Sequence, residues 1–300
     1  MAEFKIIDGK LVATAIKSQI ATKVKAMIDA GIEPPHLAAI LVGNDPASET
    51  YVKSKEKSCQ EVGFLSSVYR FPENTSETKL LEAVNFLNDD PEVDGFIVQL
   101  PLPKHIAVER VLDQIKPSKD VDGFHAVNVG RMVQGLPGYL PATPMGIVKL
   151  IEHYKIETSG KHCVVLGRSQ IVGTPVSLLM SRKGYPGNAT VTLCHSQTEN
   201  LTEIMRSADI LIAAIGSPLF VKADMVKKGA VVIDVGIHRI PSDDNPKGYV
   251  IVGDVDYDQV AAKCSWISPV PGGVGPMTIV SLLLNTLSAA EHEIYKETGV

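Results

Sequence analysis

Cysteine is scarce in this 300-residue chain, and its four copies, Cys59, Cys163, Cys194 and Cys264, stand far apart with no C-x-x-C pair. Four widely scattered cysteines argue against a disulfide framework, and the lack of closely spaced pairs argues against a zinc site, whose ligands recur at short intervals. The four are expected to be small buried hydrophobes, and no metal is expected. Tryptophan occurs once. No apolar run approaches the roughly 18 residues that a bilayer span needs. The opening residues MAEFKIIDGK carry Glu3, Lys5 and Asp8 and lack the apolar stretch of a secretory signal. No membrane association and a cytoplasmic location are therefore expected. Surplus positive charge is missing too. The formal net charge is −5, which argues against nucleic acid as a partner, since phosphate binding leans on excess Lys and Arg.

What is there is the composition of a globular chain, 45% hydrophobic and 21% charged. Helical and strand patterns alternate from end to end, which predicts an α/β fold with largely parallel sheets. The spacing predicts helices over about 11–30, 46–62, 75–87 and 107–115, with strands at 37–42, 64–71 and 95–100. Residues 116–144 hold Gly, Pro and Asn with little periodicity, and a long irregular stretch of this kind is usually functional or interdomain. A second series follows. It has a helix from Pro144, strands at 163–166, 190–193, 210–214 and 231–235, a polar loop at 242–248 and a closing helix from Pro276 to Thr298. Two domains are expected: residues 1–143 plus 277–300, and residues 144–276. The closing helix is expected to pack back on the first.

The strand His162–Leu166 runs into Gly167-Arg168-Ser169-Gln170-Ile171-Val172-Gly173 and a helix. Strand, glycine turn and helix in this order place backbone N–H groups where they can face a pyrophosphate. The spacing is G-x5-G, without the middle glycine of the usual fingerprint, so a sharp turn with no ligand also fits. The next strand ends in Cys194-His195-Ser196, with no Asp or Glu for a ribose 2′-hydroxyl. Arg168 and Ser196 instead suit a 2′-phosphate, which favours NADP over NAD. His195 is either a ligand contact or a loop histidine. Gly216-Ser217-Pro218 and Gly236-Ile237-His238 follow the next two strands, at the sheet end where nicotinamide and substrate usually sit.

In the helix over 46–62 the apolar stripe reads Val52, Lys55, Cys59, Val62. Either Lys55 packs its stem and sends its ammonium to water, or it is partly desolvated beside a cavity. Burial of the second kind lowers a lysine pKa and makes the amine usable for proton transfer near neutrality. Tyr51 lies one turn away on the same face. Gln99 ends an apolar strand in Val98-Gln99-Leu100-Pro101, where a buried amide needs partners: it either holds Lys55, touches a ligand or caps loose backbone. Lys119-Asp120-Val121-Asp122-Gly123 is either an Asx turn or the source of a cleft carboxylate able to pair with an amino-pyrimidine edge. Pro269-Val270-Pro271-Gly272-Gly273-Val274-Gly275-Pro276-Met277-Thr278 is a stiff loop leading into the last helix, with peptide N–H groups that can sit near a ligand.

Taken in order, Tyr51-Val-Lys-Ser-Lys55, Val98-Gln99-Leu100-Pro-Leu-Pro103, Lys119-Asp-Val-Asp-Gly123, the Gly167–Gly173 turn, Cys194-His-Ser-x-Thr198 and Pro269–Thr278 resemble FolD-type methylenetetrahydrofolate dehydrogenase/cyclohydrolases along nearly the whole chain. The resemblance implies oxidation of 5,10-methylenetetrahydrofolate with NADP, then hydrolysis of the methenyl form to 10-formyltetrahydrofolate at one shared cleft, without a metal. It makes Lys55 the general acid/base, with Gln99 orienting it, Tyr51 stacking on folate and Asp122 holding the pterin. Val98, Leu100, Pro271, Gly272, Gly273 and Gly275 would line the folate pocket. Gly167, Arg168, Ser169, Ile171, His195, Ser196, Ile237 and Thr278 would contact the dinucleotide. A homodimer is implied as well. A dehydrogenase-only or NAD-using relative, and a silent NADP- or folate-binding module, are the alternatives.

Overall fold

The computed structural model describes residues 4–246 and 248–295. In chain order, β1 (Lys5–Ile6) and α1 (Gly9–Asp29) precede β2 (His36–Val42), α2 (Pro46–Val62), β3 (Leu65–Phe71), α3 (Glu77–Asp89), β4 (Gly95–Val98) and α4 (Val108–Gln114). Then come α5 (Ala126–Gln134), α6 (Ala142–His153), β5 (His162–Leu166), α7 (Gly173–Ser181), β6 (Thr190–Cys194), α8 (Leu201–Ser207), β7 (Ile210–Ala213) and β8 (Val231–Asp234). A hairpin of β9 (His238–Pro241) and β10 (Tyr249–Val252), then α9 (Tyr257–Val260), β11 (Trp266–Ile267) and α10 (Val274–Ala290) follow. The chain divides into two compact units, Ala15–Ala142 with the chain from Ile279, and Thr143–Thr278 with the N-terminal segment through Thr14.

The first unit is built on a parallel sheet in the order β3-β2-β4. Residues 37–42 of β2 are buried throughout, so both sheet faces must be covered, as parallel strands require. The alternation of side chains along β2 assigns the faces. Leu37 and Ala39 join a core with Ile20 and Val24 of α1, Cys59 and Val62 of α2, and Leu282, Leu283 and Leu287 of α10. Ala38, Ile40 and Val42 join Leu80, Val84 and Leu87 of α3 and Val111 of α4. The return of the last helix to this unit is thus carried by its leucines.

The second unit holds a six-stranded parallel sheet in the order β1-β11-β8-β7-β5-β6. The strand that begins the series, β5, lies between the next two, β6 and β7. The chain reverses its direction of winding there, which makes the carboxyl ends of β5 and β7 the switch point where open α/β sheets take ligands.

Several expectations are corrected. Residues 4–14, expected with the first domain, group with the second unit: Lys5 and Ile6 pair with Trp266 and Ile267, and Ile7 N donates to Ile267 O at 2.8 Å. A two-residue strand is too short to show periodicity. Met277 and Thr278, expected with the first domain, group with the second unit, where Met277 packs against Gly146. The irregular stretch 116–144 contains α5, whose N-cap is the His125 side chain accepting from Val127 N and whose buried residues are only Asn128 and Met132. With no Ser, Thr, Asn or Asp cap and no apolar stripe, it carries neither of the usual helix signals. The expected 242–248 loop falls between the strands of an antiparallel hairpin, of which β9 alternates between half-buried and exposed positions and β10 is half-buried throughout. The last helix ends at Ala290 rather than reaching Thr298, and residues 296–298 of that expectation lie outside the described residues.

Candidate active site

Helix α2 begins where Asp45 accepts from Ser48 N at 2.7 Å with Pro46 in the first turn, and stops at Gly63 in the left-handed region. Its buried residues are Ser48, Val52, Lys55, Ser58, Cys59 and Val62. The lysine therefore lies on the inward stripe, 9% exposed, and the snorkelling alternative is set aside. Its ammonium donates to Gln99 Oε1 at 3.1 Å. Gln99 follows β4 directly. Its backbone N donates to Ile40 O, and its Nε2 to Leu100 O at 2.8 Å, so the amide nitrogen is committed and the oxygen is left to face the lysine. Val98 is buried in β4 and Leu100 half-buried beyond it.

The two acids of the Lys119–Gly123 segment separate in role. Asp120 is the turn residue: 2% exposed, it accepts from Phe124 N, His125 N and Asn128 Nδ2. Burial pushes its carboxyl up to about 6. Asp122 is half-buried, and no group among the described residues donates to its carboxylate, which is perturbed only by burial, raising its pKa, and by the Lys55 charge, lowering it. Reciprocally, burial pushes the Lys55 ammonium below its ordinary 10.5, while Asp122 and then Cys59 oppose the shift. Lysine and carboxylate are thus close enough for each charge to act on the other, and both are perturbed first by burial. Asn285 of α10 holds the Asp122 segment: its Nδ2 donates to Val121 O and Leu140 O at 2.8 and 2.9 Å. Tyr51, 38% exposed, stands one turn before Lys55.

In the second unit the Gly167 turn lies at the switch point. Gly167 has φ +110, and a Cβ there would collide with Ala214 O. A Cβ on Gly173 would collide with Gly167 O, so Gly167 is required by the close approach of the chain after β7 and Gly173 by that of α7 to the turn after β5. Arg168, Ser169 and Ile171 are exposed, and among the described residues no carboxylate holds the Arg168 guanidinium. Ser196 is exposed beyond β6. His195 Nδ1 accepts from Gln197 N at 3.2 Å, which makes this histidine a turn residue on that nitrogen. Ile237 is 45% exposed after β8. A Cβ on Gly275 would stand 3.2 Å from its Cδ1, so the Pro271–Gly275 loop meets Ile237. That loop is pinned to the start of α1 by Lys10 N donating to Gly272 O at 2.9 Å. The Thr278 hydroxyl pairs with Thr143 Oγ1 at 2.9 Å.

Sequence reasoning missed three groups: Asn285, and the buried carboxylates Asp234 and Asp254, 3% and 0% exposed. The one available signal was an acid at the end of the apolar run Val231–Asp234.

A glycine turn at a sheet's switch point, with a buried lysine–amide pair in a separate α/β unit, defines a two-unit enzyme that pairs dinucleotide binding with proton transfer. The comparisons with known proteins agree. Residues 7–122 match the tetrahydrofolate dehydrogenase/cyclohydrolase catalytic domain, and residues 141–294 the NAD(P)-binding domain of the same family. This chain belongs to the tetrahydrofolate dehydrogenase/cyclohydrolase family. It is 58% identical to the bifunctional protein FolD of Cytophaga hutchinsonii over 286 residues, 95% of this chain and 99% of that one. Among solved structures, the bifunctional FolD of Campylobacter jejuni superposes with a TM-score of 0.90 at 46% identity, covering 97% and 99% of the two chains. The Trypanosoma brucei enzyme, solved with NADP cofactor and inhibitor, superposes at 0.92 with 36% identity, covering 99% and 100%.

Proposed function

We propose that the chain oxidises 5,10-methylenetetrahydrofolate to the 5,10-methenyl form with NADP and then hydrolyses that to 10-formyltetrahydrofolate. The observation that carries the second activity is the Lys55–Gln99 bond beside the unsatisfied Asp122. The methenyl substrate is a cation and already electrophilic, so its hydration needs a proton carrier more than a stronger nucleophile. As water's oxygen bonds to the one-carbon unit, its proton passes to the Lys55 amine. The ammonium returns that proton to N5 as the carbon–N5 bond breaks, and the hydroxyl proton leaves to solvent. Gln99 keeps Lys55 aimed, Asp122 accepts from the pterin's amino edge, and Tyr51 offers a stacking face. Val98, Leu100, Pro271, Gly272, Gly273 and Gly275 are read as folate-side residues.

The exposed atoms of the Gly167–Ile171 turn, Ser196 and Ile237 suit a dinucleotide along the carboxyl ends of β5, β6 and β8, and the free guanidinium of Arg168 suits a 2′-phosphate. His195 and Thr278 complete the proposed set. When bound, NADP supplies the hydride acceptor. The chain's part is to hold folate and dinucleotide in register. Assembly as a homodimer in the cytoplasm is part of this reading, and light scattering at twice the 32.2 kDa chain mass tests the dimer.

The decisive assay supplies methylenetetrahydrofolate and NADP. Absorbance from NADPH and the methenyl product should rise and the methenyl signal then decay; no rise overturns the proposal. For the cofactor, Arg168→Ala should raise KM for NADP about tenfold to a hundredfold and leave KM for NAD nearly unchanged, the loss of one charge-assisted contact. Equal loss with both cofactors would refute the 2′-phosphate assignment.

A further inference from the structure

The second unit holds a buried carboxylate pair that the chemistry above leaves unused. Asp234 ends β8 and accepts from Gly236 N, Asp254 N and Val255 N at 3.0, 2.9 and 2.9 Å. Its own backbone N donates to Ser268 Oγ at 2.8 Å. Asp254 follows β10. Its Oδ2 accepts from Ile215 N and Gly216 N at 2.8 and 3.1 Å, and its Oδ1 from Ser217 N at 2.9 Å. With three backbone donors aimed at it, this carboxylate is an acceptor, so His238 Nε2, 2.7 Å from Oδ1, carries the proton between them. Burying a carboxylate is unfavourable unless such donors surround it.

What the pair organises is local and specific. Ile237 stands between Gly236, bonded to Asp234, and His238, bonded to Asp254. A Cβ on Gly236 would collide with Asp254, so the peptide before Ile237 lies directly against the carboxylate. The turn 215–217 follows β7, whose carboxyl end borders the switch point. Asp254 therefore ties together two loops from neighbouring strands while being itself wholly buried, and it acts only through what it holds.

We propose that Asp254, with His238 bonded to it, is the positioning group of the dehydrogenase half-reaction, fixing the 215–217 turn and Ile237 as the wall that receives the nicotinamide end of NADP. This rests on the reading that the carboxyl ends of β7 and β8 take that end of the cofactor. Lys55 and Gln99 belong to the other unit, so loss of the clamp reaches the ring-opening step only through the contact of Gly275 with Ile237 and should affect it far less than NADP binding.

Asp254→Asn keeps the shape but replaces one accepting oxygen with an NH2 group that cannot accept. The full chain is titrated calorimetrically with NADP, amide exchange is followed at residues 215–217 and 236–238, and both activities are measured. NADP affinity should fall about tenfold to a hundredfold, with exchange faster at those amides. Hydrolysis of supplied methenyltetrahydrofolate should stay within about twofold. An equal fall of both activities in folded protein overturns the proposal. Should Asp254→Asn not fold, His238→Leu and His238→Gln decide: Leu should weaken NADP binding and Gln, a donor, should restore it, whereas unchanged affinity in His238→Leu refutes the clamp. Ile237→Ala separates the two ideas. If it leaves NADP affinity unchanged, the reading of the wall fails. If it weakens binding while the Asp254 and His238 variants do not, only the clamp fails.

Discussion

Lys55 and Asp122 are perturbed in opposite directions by the same cause: burial disfavours the charge on each, and each charge partly restores the other. Removing the amine should cost most of the ring-opening step. Lys55→Met is expected to lower hydrolysis of methenyltetrahydrofolate by about 10²–10⁴-fold while calorimetry still detects NADP binding; retained hydrolysis would refute the assignment. The lowered lysine pKa sets the pH trend. The neutral amine becomes available below the ordinary 10.5, so hydrolysis should rise with pH and level off at an apparent pKa below that value, and a pH–rate profile reads it. Asp120 has a different consequence. Its carboxyl stands at about 6 in the folded chain against 3.8, so the folded state holds that proton more tightly. The stabilisation is complete below about 3.8 and is lost as pH rises through about 6. Between pH 4 and 7 the parent should lose up to about 3 kcal/mol relative to Asp120→Asn, measured by urea unfolding at each pH. Identical pH slopes in the two proteins would show that Asp120 titrates normally.

At the scale of elements, what was legible followed how strongly each element declares itself. Helix α2 could be read to its ends because Asp45, Pro46 and Gly63 punctuate it and a single stripe is buried; Lys55 stood out against that stripe. The turn after β5 was legible because two glycines are forced by close approach. Helix α5 was not, since a histidine caps it and its inward face is an asparagine and a methionine. Asn285 was invisible for a related reason. A polar residue on an apolar helix reads as a defect until its two carbonyl partners, far away in sequence, are known. Asn285→Ala should strand both acceptors, at about 1–3 kcal/mol each. The expected result is a lower thermal midpoint together with a higher KM for folate, because Val121 precedes Asp122. A stability loss with folate KM unchanged would limit Asn285 to a structural tie.

At the scale of the molecule, composition and alternation sufficed for the class, an α/β chain in two units. The units' borders were less legible, because the chain crosses between them inside α1 and α10, where helical periodicity runs on without a break. NADP should raise the midpoint of unfolding by mass action, about 2.7 kcal/mol of added stability at a free concentration about 100 times Kd. A midpoint indifferent to NADP would contradict binding to the native state.

The crossings also bear on how the protein folds. Lys5 and Ile6 pair with a strand about 260 residues further on, at Trp266 and Ile267. The first unit's core waits for Leu282, Leu283 and Leu287. Each unit therefore closes only once segments far apart in sequence have met, so both keep an unfinished apolar face until those late segments dock.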